Sequence, residues 1–181
     1  MSYSTAHIHE KDLFTHHTID QINDIKKECL GKKIVFTASC FDLIHPGHIK
    51  MLEDAKRQGD ILIIGLHTDP TINRDSKNSP IQTFEERRIM INSIKYIDYV
   101  IDYATEDDLY KILVHLNPDI RVLGSDWEGK DYTGHLLTIP VYFHKRDHDW
   151  STSGLRLRVF DTEFKKHPLY ERFKLISTNY L

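Results

Sequence analysis

From residue 33 onward this chain alternates short apolar runs with segments of helical periodicity, and that alternation constrains its fold more than any other feature. The runs are Ile34-Val35-Phe36, Ile61-Leu62-Ile63-Ile64, Tyr99-Val100-Ile101, Ile120-Arg121-Val122-Leu123 and Pro140-Val141-Tyr142-Phe143. They are nearly continuous in apolar character rather than alternating with polar residues, the pattern of strands covered on both faces. Helical segments near 47–58, 84–95 and 106–116 separate them, and another helix starts near Ser153. Strand–helix alternation of this kind predicts a single α/β domain: a doubly wound, five-stranded parallel sheet with helices on both faces. At 181 residues the chain is long enough for one such domain and too short for two ordinary ones.

Helix punctuation supports the same division. Thr83 with Glu86 forms a capping box ahead of the second helix, and Thr18 with Gln21 forms one ahead of Ile19, Ile22 and Ile25, with Gly31 following as a C-cap. We therefore expect residues 1–32 to be an N-terminal arm and helix, with 1–16 aperiodic and polar. Residues 33–160 form the main domain, and 161–181 are a charged, aromatic tail.

The 24 basic and 27 acidic residues give a formal net charge of -3 with no long basic run, so a nucleic-acid partner has no electrostatic support. A small anionic substrate needs only a local positive pocket. The two cysteines, Cys29 and Cys40, form no CxxC pair and read as free thiols. The first thirty residues carry Glu10, Lys11 and Asp12 and no apolar signal core, and no run approaches the length of a membrane span. A cytoplasmic protein with no membrane partner is expected.

In a doubly wound fold the ligand sits at the carboxyl ends of the strands, near the point where strand order reverses. The first strand runs into Thr37-Ala38-Ser39-Cys40-Phe41-Asp42-Leu43-Ile44-His45-Pro46-Gly47-His48, and a helix follows. Two histidines three apart at a helix start can face one anion; Gly47 leaves room for a phosphate, and the free N–H groups of the first turn point the same way. Two readings compete: a zinc site, which would need further ligands nearby, and surface histidines with no role.

Cys40-Phe41-Asp42-Leu43-Ile44-His45-Pro46-Gly47-His48 resembles the signature of the HxGH nucleotidyltransferases, the cytidylyltransferase-like family that includes adenylyltransferases. The resemblance extends from about Ile34 to Arg158. It takes in Asp60–Asp69, Phe84-Glu85-Glu86-Arg87, Ile94-Lys95-Tyr96-Ile97-Asp98, Leu123-Gly124-Ser125-Asp126-Trp127 and Arg146–Ser153, and in pattern it is closest to the glycerol-3-phosphate cytidylyltransferases. It implies a Rossmann-like fold in which His45, His48, Lys77 and Arg146 carry catalysis. Cys40, Phe41, Asp42, Gly47, Gly124, Asp126, Trp127, Ser151, Thr152 and Ser153 would bind the nucleotide. Magnesium would accompany the triphosphate; the sequence shows no dedicated metal cage. The family also implies a homodimer whose subunit contact lies near the 84–98 region, including Arg87 and Lys95. Read without the family, Lys77 is most simply a solvated lysine, Arg146 a surface ion-pair partner, Trp127 a core residue and Ser151-Thr152-Ser153 a helix cap.

The sequence departs from that pattern at Ser39, where glycine is usual, at Asp147-His148-Asp149-Trp150, which replaces Thr-Glu-Gly-Ile, and at Lys95, where the glycerol-phosphate enzymes carry arginine. Glu106-Asp107-Asp108 stands where those enzymes place lysines. The leading expectation is transfer of CMP from CTP to a phosphorylated small alcohol or sugar, giving a CDP-linked product and pyrophosphate. Arg146 ahead of Ser-Thr-Ser, the 126–129 stretch and the 94–98 stretch favour it. The alternative is an adenylyltransferase acting with ATP on a sugar phosphate of the heptose-phosphate type, favoured by Leu137-Thr138-Ile139-Pro140 and the acidic start of the 106–116 helix. A third reading, a catalytically silent nucleotide-binding protein, meets the presence of both histidines, Lys77 and Arg146.

Overall fold

The computed structural model describes residues 16–72 and 78–169. Each apolar run is a strand: β1 Ile34–Ser39, β2 Ile61–His67, β3 Tyr99–Tyr103, β4 Ile120–Gly124 and β5 Val141–His144. They form one sheet in the order β3-β2-β1-β4-β5, and every neighbouring pair is parallel. The order reverses between β1 and β4, so the chain leaves these two strands in opposite directions and opens a crevice above their C-terminal ends. Strands β2 and β3 run beyond the apolar cores that betray them, to His67 and Tyr103, which brings polar side chains to the rim of that crevice.

Five helices flank the sheet: α1 His16–Glu28, α2 Pro46–Lys56, α3 Phe84–Asn92, α4 Glu106–Leu116 and α5 Thr152–Phe164. On one face, Ile22 and Ile25 of α1 and Ile112 and Leu113 of α4 pack against Phe36 and Ile63. On the other, Leu52 and Ala55 of α2 and Ile91 of α3 pack against Val35, Leu62 and Val122. Both faces of the strands are therefore covered, as their continuous apolar character requires. The Thr83–Glu86 capping box forms as expected. That of Thr18 and Gln21 does not: α1 already begins at His16, and Thr18 is buried inside it. Thr18, Ile22 and Ile25 share one helical stripe, so packing against the core, not capping, fixes Thr18. Helix α3 stops at Asn92, three residues short of the expected end, in a right-handed C-cap at Ser93.

Helix α1 completes one layer of the domain. Gln21 Nε2 donates to the Val100 carbonyl at 3.1 Å, Lys26 Nζ to the His115 carbonyl at 2.9 Å, and the Tyr99 hydroxyl to Glu28 at 2.6 Å. Among the described residues, no helix is long and apolar enough to cross a membrane. Because Ile22 is fully buried, Ile22→Ala should cost about 2–5 kcal/mol through lost contacts and a residual cavity. Leu30, at 87% exposed just past the helix, supplies the control: Leu30→Ala should stay within about 0.5 kcal/mol. Urea unfolding followed by circular dichroism measures both; equal midpoints for the two variants would show that α1 is not part of the core.

Candidate active site

The turn between β1 and α2 is built by its own side chains. His45 is the N-cap of α2, and Pro46 occupies the first helical turn, where its missing N–H costs nothing. The Gly47 N–H donates to His45 Nδ1 at 3.1 Å, and the His45 N–H donates to His48 Nδ1 at 3.4 Å. Both Nδ1 atoms thus act as acceptors, which places the proton of each neutral ring on Nε2. The two rings stack with centroids 4.0 Å apart. Two Nε2–H donors are thereby offered side by side, at the positive end of a helix.

Burial pushes the His48 ring down to about 3, with smaller contributions from the neighbouring His45 and Arg146. His45 shifts in the same direction, again mainly through burial, with Arg146, His148 and Arg158 adding to it. The site therefore gathers cationic or protonatable groups without neutralising them, and an anion arriving there would reverse the shift. A Cβ on Gly47 would meet His148 Cε1 at 2.7 Å and the His45 ring at 3.0 Å, so only glycine fits between these two imidazoles.

The loop before α2 is held in an unusual conformation. Phe41 and Leu43 both adopt left-handed backbone angles, with φ of 52° and 48°. Between them, Asp42 turns inward and accepts from the N–H groups of Ile81 at 3.1 Å and Gln82 at 2.9 Å. Gln82 Oε1 in return accepts from the Leu43 N–H at 2.8 Å. The Asp42 carboxylate thus pins two loops together. The Phe41 ring is buried in the core beside His48, so Phe41 presents only backbone to the crevice. Arg87 is likewise internal: it donates to the carbonyls of Cys40 at 2.8 Å, His67 at 2.7 Å, Thr68, and Gln82 at 3.3 Å. Arg87 is 1% exposed, so its side chain serves the interior of the subunit, whereas Lys95 in the same region is exposed.

A cavity of about 300 Å³ opens above the ends of β1 and β4. Of the residues expected at the site, Cys40, Phe41, Asp42, His48, Trp127, Thr152 and Ser153 line it. Ser151 caps α5 by accepting from the Gly154 N–H at 3.0 Å, and the Thr152 hydroxyl donates to the Asp42 carbonyl at 3.2 Å, which brings the start of α5 against the β1–α2 turn. The helix-cap reading of this segment is therefore realised together with its place at the cavity. Asp126 is exposed, its carboxylate lying over Gly124 where a Cβ would otherwise stand, and Arg146 is exposed within electrostatic reach of both histidines. Lys77 lies outside the described residues. Sequence reasoning missed His67, Tyr103, Arg121, Tyr132, Thr133 and Arg156, all of which line the cavity; Glu106, which also lines it, was noted only as part of the acidic start of its helix. Only the polar Arg121 inside an otherwise apolar strand run was a visible signal.

The cytidylyltransferase-like family model matches residues 36–175. The chain belongs to that family. Like other cytidylyltransferase-like proteins it is thereby a nucleotidyltransferase, the class its HxGH turn implies. It is 37% identical over 149 residues to the bifunctional protein HldE of Aliarcobacter butzleri, an alignment covering 81% of this chain and 31% of that protein. It is 40% identical over 105 residues to HldE of a Nitratiruptor species, covering 58% of this chain and 22% of that protein. The chain thus spans less than a third of the length of these relatives. Among solved structures it is similar to a lipopolysaccharide core biosynthesis protein from Thermoplasma volcanium (29% identity, TM-score 0.53), which covers 66% of this chain and 100% of the other. A pantoate–β-alanine ligase from Francisella tularensis shares the fold at 17% identity and a TM-score of 0.59, covering 84% of this chain and 76% of that one.

The departures from the family pattern now have places in this cytidylyltransferase-like site. Asp147 is paired rather than isolated there: Lys50 Nζ donates to its carboxylate at 3.1 Å, which lowers its pKa and sets a positive charge against it. Trp150 packs beside His148 with centroids 4.9 Å apart, and Lys50 lies 5.5 Å over its ring. Of the acidic start of α4, Asp108 caps the helix by accepting from the N–H groups of Ala104 and Thr105, and Asp107 pairs with Lys111; Glu106 is the member that reaches the cavity.

The depressed His48 ring makes a prediction about pH. The folded protein resists protonating it down to about 3, while the unfolded chain protonates near the ordinary histidine value of 6.5. The unfolded state then binds more protons within that window, so His48 costs no stability above it and progressively more as pH falls through it. The stability of the wild type should therefore drop more steeply than that of His48→Gln between pH 6.5 and about 3, and the two should run parallel above 6.5. Urea midpoints across pH 4.5–7.5, taken in steps of about half a unit, measure this. Parallel curves throughout would show that the ring is not buried as a neutral imidazole.

Proposed function

We propose that this nucleotidyltransferase transfers AMP from ATP to a sugar phosphate of the heptose-phosphate type, releasing pyrophosphate and forming an ADP-linked sugar. The observation that carries the transfer chemistry is the stacked His45–His48 pair at the N-terminus of α2, each ring accepting a backbone N–H at Nδ1 and so carrying its proton on Nε2. In the reaction an acceptor phosphate oxygen forms a bond to the α-phosphorus of the triphosphate as the bond to pyrophosphate breaks. Negative charge accumulates on the phosphorus oxygens and the leaving group, and fixed N–H donors stabilise it without reorganising. His45 and His48 are the donors we assign to that charge, with Arg146 and Lys77 drawing off charge along the polyphosphate. Ser151, Thr152 and Ser153 would meet the phosphates at the start of α5, and Gly124, Asp126 and Trp127 would lie by the nucleoside.

Magnesium would be carried by the triphosphate. The nearest carboxylates are engaged, Asp42 by backbone N–H groups and Asp147 by Lys50, so phosphate oxygens and water would hold the ion. Two lines favour adenosine and a sugar over cytidine and glycerol phosphate. The relatives above are HldE proteins, and the Thermoplasma volcanium neighbour is a lipopolysaccharide core biosynthesis protein. The start of α4 is acidic, and Glu106 lines the cavity where the glycerol-phosphate enzymes carry lysines.

Pyrophosphate release separates the readings. The full chain is assayed with ATP or CTP against glycerol 3-phosphate, hexose 1-phosphates and a heptose 1-phosphate. We expect turnover with ATP and a sugar phosphate; CTP with glycerol 3-phosphate as the best pair would return the assignment to a cytidylyltransferase. His48→Ala should lower kcat at least about 100-fold, the scale for losing one transition-state donor. Wild-type turnover in that variant would remove His48 from the chemistry.

A further inference from the structure

Among the described residues two arginines are buried, and they are treated differently. Arg87 is surrounded by carbonyls and is saturated. Arg121, on β4, is 4% exposed, and among the described residues it makes a single hydrogen bond, from Nη1 to the Thr133 carbonyl. Its Nε–H is buried with no hydrogen-bond partner, and no carboxylate among the described residues lies within ion-pair distance of it. The Tyr132 ring lies 5.2 Å from the guanidinium carbon. An arginine brings five N–H donors, and leaving them unfilled inside a protein is costly unless something else fills them. Arg121 also lines the cavity. A leucine or valine would have served an apolar strand at that position, so the unfilled donors point to a ligand rather than to packing.

The position of Arg121 says which part of a ligand it meets. In the sheet it stands level with Phe36, three residues below the end of β1 at Ser39, after which the chain turns towards His45 and His48. Three strand residues span about 10 Å, so at the level of the backbone Arg121 sits well beneath the histidine turn. Its side chain is on the sheet face covered by α4, and Nη1 lies 3.4 Å from where a Cβ on Gly134 would stand. The histidine turn begins α2, on the opposite face. A ligand reacting beside His48 therefore reaches Arg121 only with the end remote from its phosphate.

Neighbouring groups set the chemistry of that end. The Thr133 hydroxyl bonds to the Glu106 carboxylate, so Arg121, Thr133 and Glu106 form one chain of alternating donors and acceptors beside the Tyr132 ring. A second anionic group would meet the carboxylate of Glu106. A hydroxylated carbon skeleton would not: its hydroxyls accept from the guanidinium, and its C–H faces lie on the tyrosine ring.

We propose that the Arg121–Thr133–Glu106 chain, with Tyr132, is the acceptor subsite, and that it reads the hydroxyl groups of an uncharged polyol or sugar moiety at the end remote from the reacting phosphate. This rests on the transfer reaction proposed above for the same cavity. It makes Arg121 a specificity-determining residue that favours sugar phosphates over the shorter glycerol phosphate.

Arg121→Met and Tyr132→Leu test it in the full chain, each first checked for wild-type circular dichroism. Losing a hydrogen bond from a charged donor corresponds to about a tenfold change or more. Arg121→Met should thus raise the acceptor KM for the best sugar phosphate at least about tenfold, with ATP affinity changed less than about twofold, the split expected of a group that touches the acceptor alone. Tyr132→Leu should raise it several-fold and leaves the buried charge in place, so it stands if Arg121→Met does not fold. Glycerol 3-phosphate should be little affected by either, and a hexuronic acid 1-phosphate should be a poorer acceptor than the matching hexose 1-phosphate. Calorimetric titration of mannose 1-phosphate supplies a readout independent of turnover. If the wild type releases no pyrophosphate from ATP or CTP yet binds mannose 1-phosphate, and Arg121→Met abolishes that binding, the transfer reaction is wrong and the subsite stands. If the wild type turns over but acceptor KM is unchanged in both variants, or the uronic acid is preferred, the subsite assignment is overturned.

Discussion

Arg87 holds the C-terminal edge of the sheet together. Its guanidinium is spread over the carbonyls that end β1 and β2 and the carbonyl that precedes α3, groups that leave the sheet ladder and would otherwise be buried without donors. Strand ends in a parallel sheet are where the backbone must diverge, and a rigid fork with several donors can collect divergent carbonyls in one place. Asp42 performs the complementary task with an acceptor, binding the N–H groups of Ile81 and Gln82. Between them, a buried cation and a buried anion fix the loop that carries the HxGH turn. The left-handed angles of Phe41 and Leu43 persist because both ends of the loop are over-determined in this way.

With the loop fixed, the electrostatics of the turn follow. His45 and His48 direct Nδ1 at backbone N–H groups of their own turn, which orients both rings and leaves the proton on Nε2. Burial, the neighbouring ring and the nearby arginine favour the neutral form of both. In the proposed reaction a triphosphate would bring the negative charge that the site lacks. Gly47 belongs to this arrangement less for backbone freedom than for clearance, since two imidazoles close on the space a side chain would take.

The two sides of the sheet then divide the work. The α2 and α5 side supplies the helix N-termini and the histidines, suited to phosphates. The α4 side supplies Arg121, Tyr132 and Glu106, suited to the polar body of an acceptor. The cavity joins them over β1, the strand at the switch point of the sheet. A doubly wound sheet lets each side change separately, and this chain departs from the family pattern on both: at 147–150 beside Lys50 of α2 and at the acidic start of α4.

The sequence alone determined the sheet, because each strand buried on both faces must be apolar throughout, and five such runs separated by helical periods admit few arrangements. It also determined the HxGH turn, since a glycine between two histidines at a helix start is a local feature. It could not separate a capping box from a buried threonine at Thr18, because that depended on α1 beginning at His16 and turning this side chain inward in the assembled fold. Nor could it show that Asp42 is spent on Ile81 and Gln82, or that Arg87 lies inside the subunit, since those partners are distant in sequence and adjacent only once β1 and β2 align. Arg121 was visible as a charge in an apolar run, but its meaning depended on which donors the fold left unfilled. Local periodicity fixes elements; satisfaction of buried polar groups is a property of the assembled fold, and the site is made of such groups.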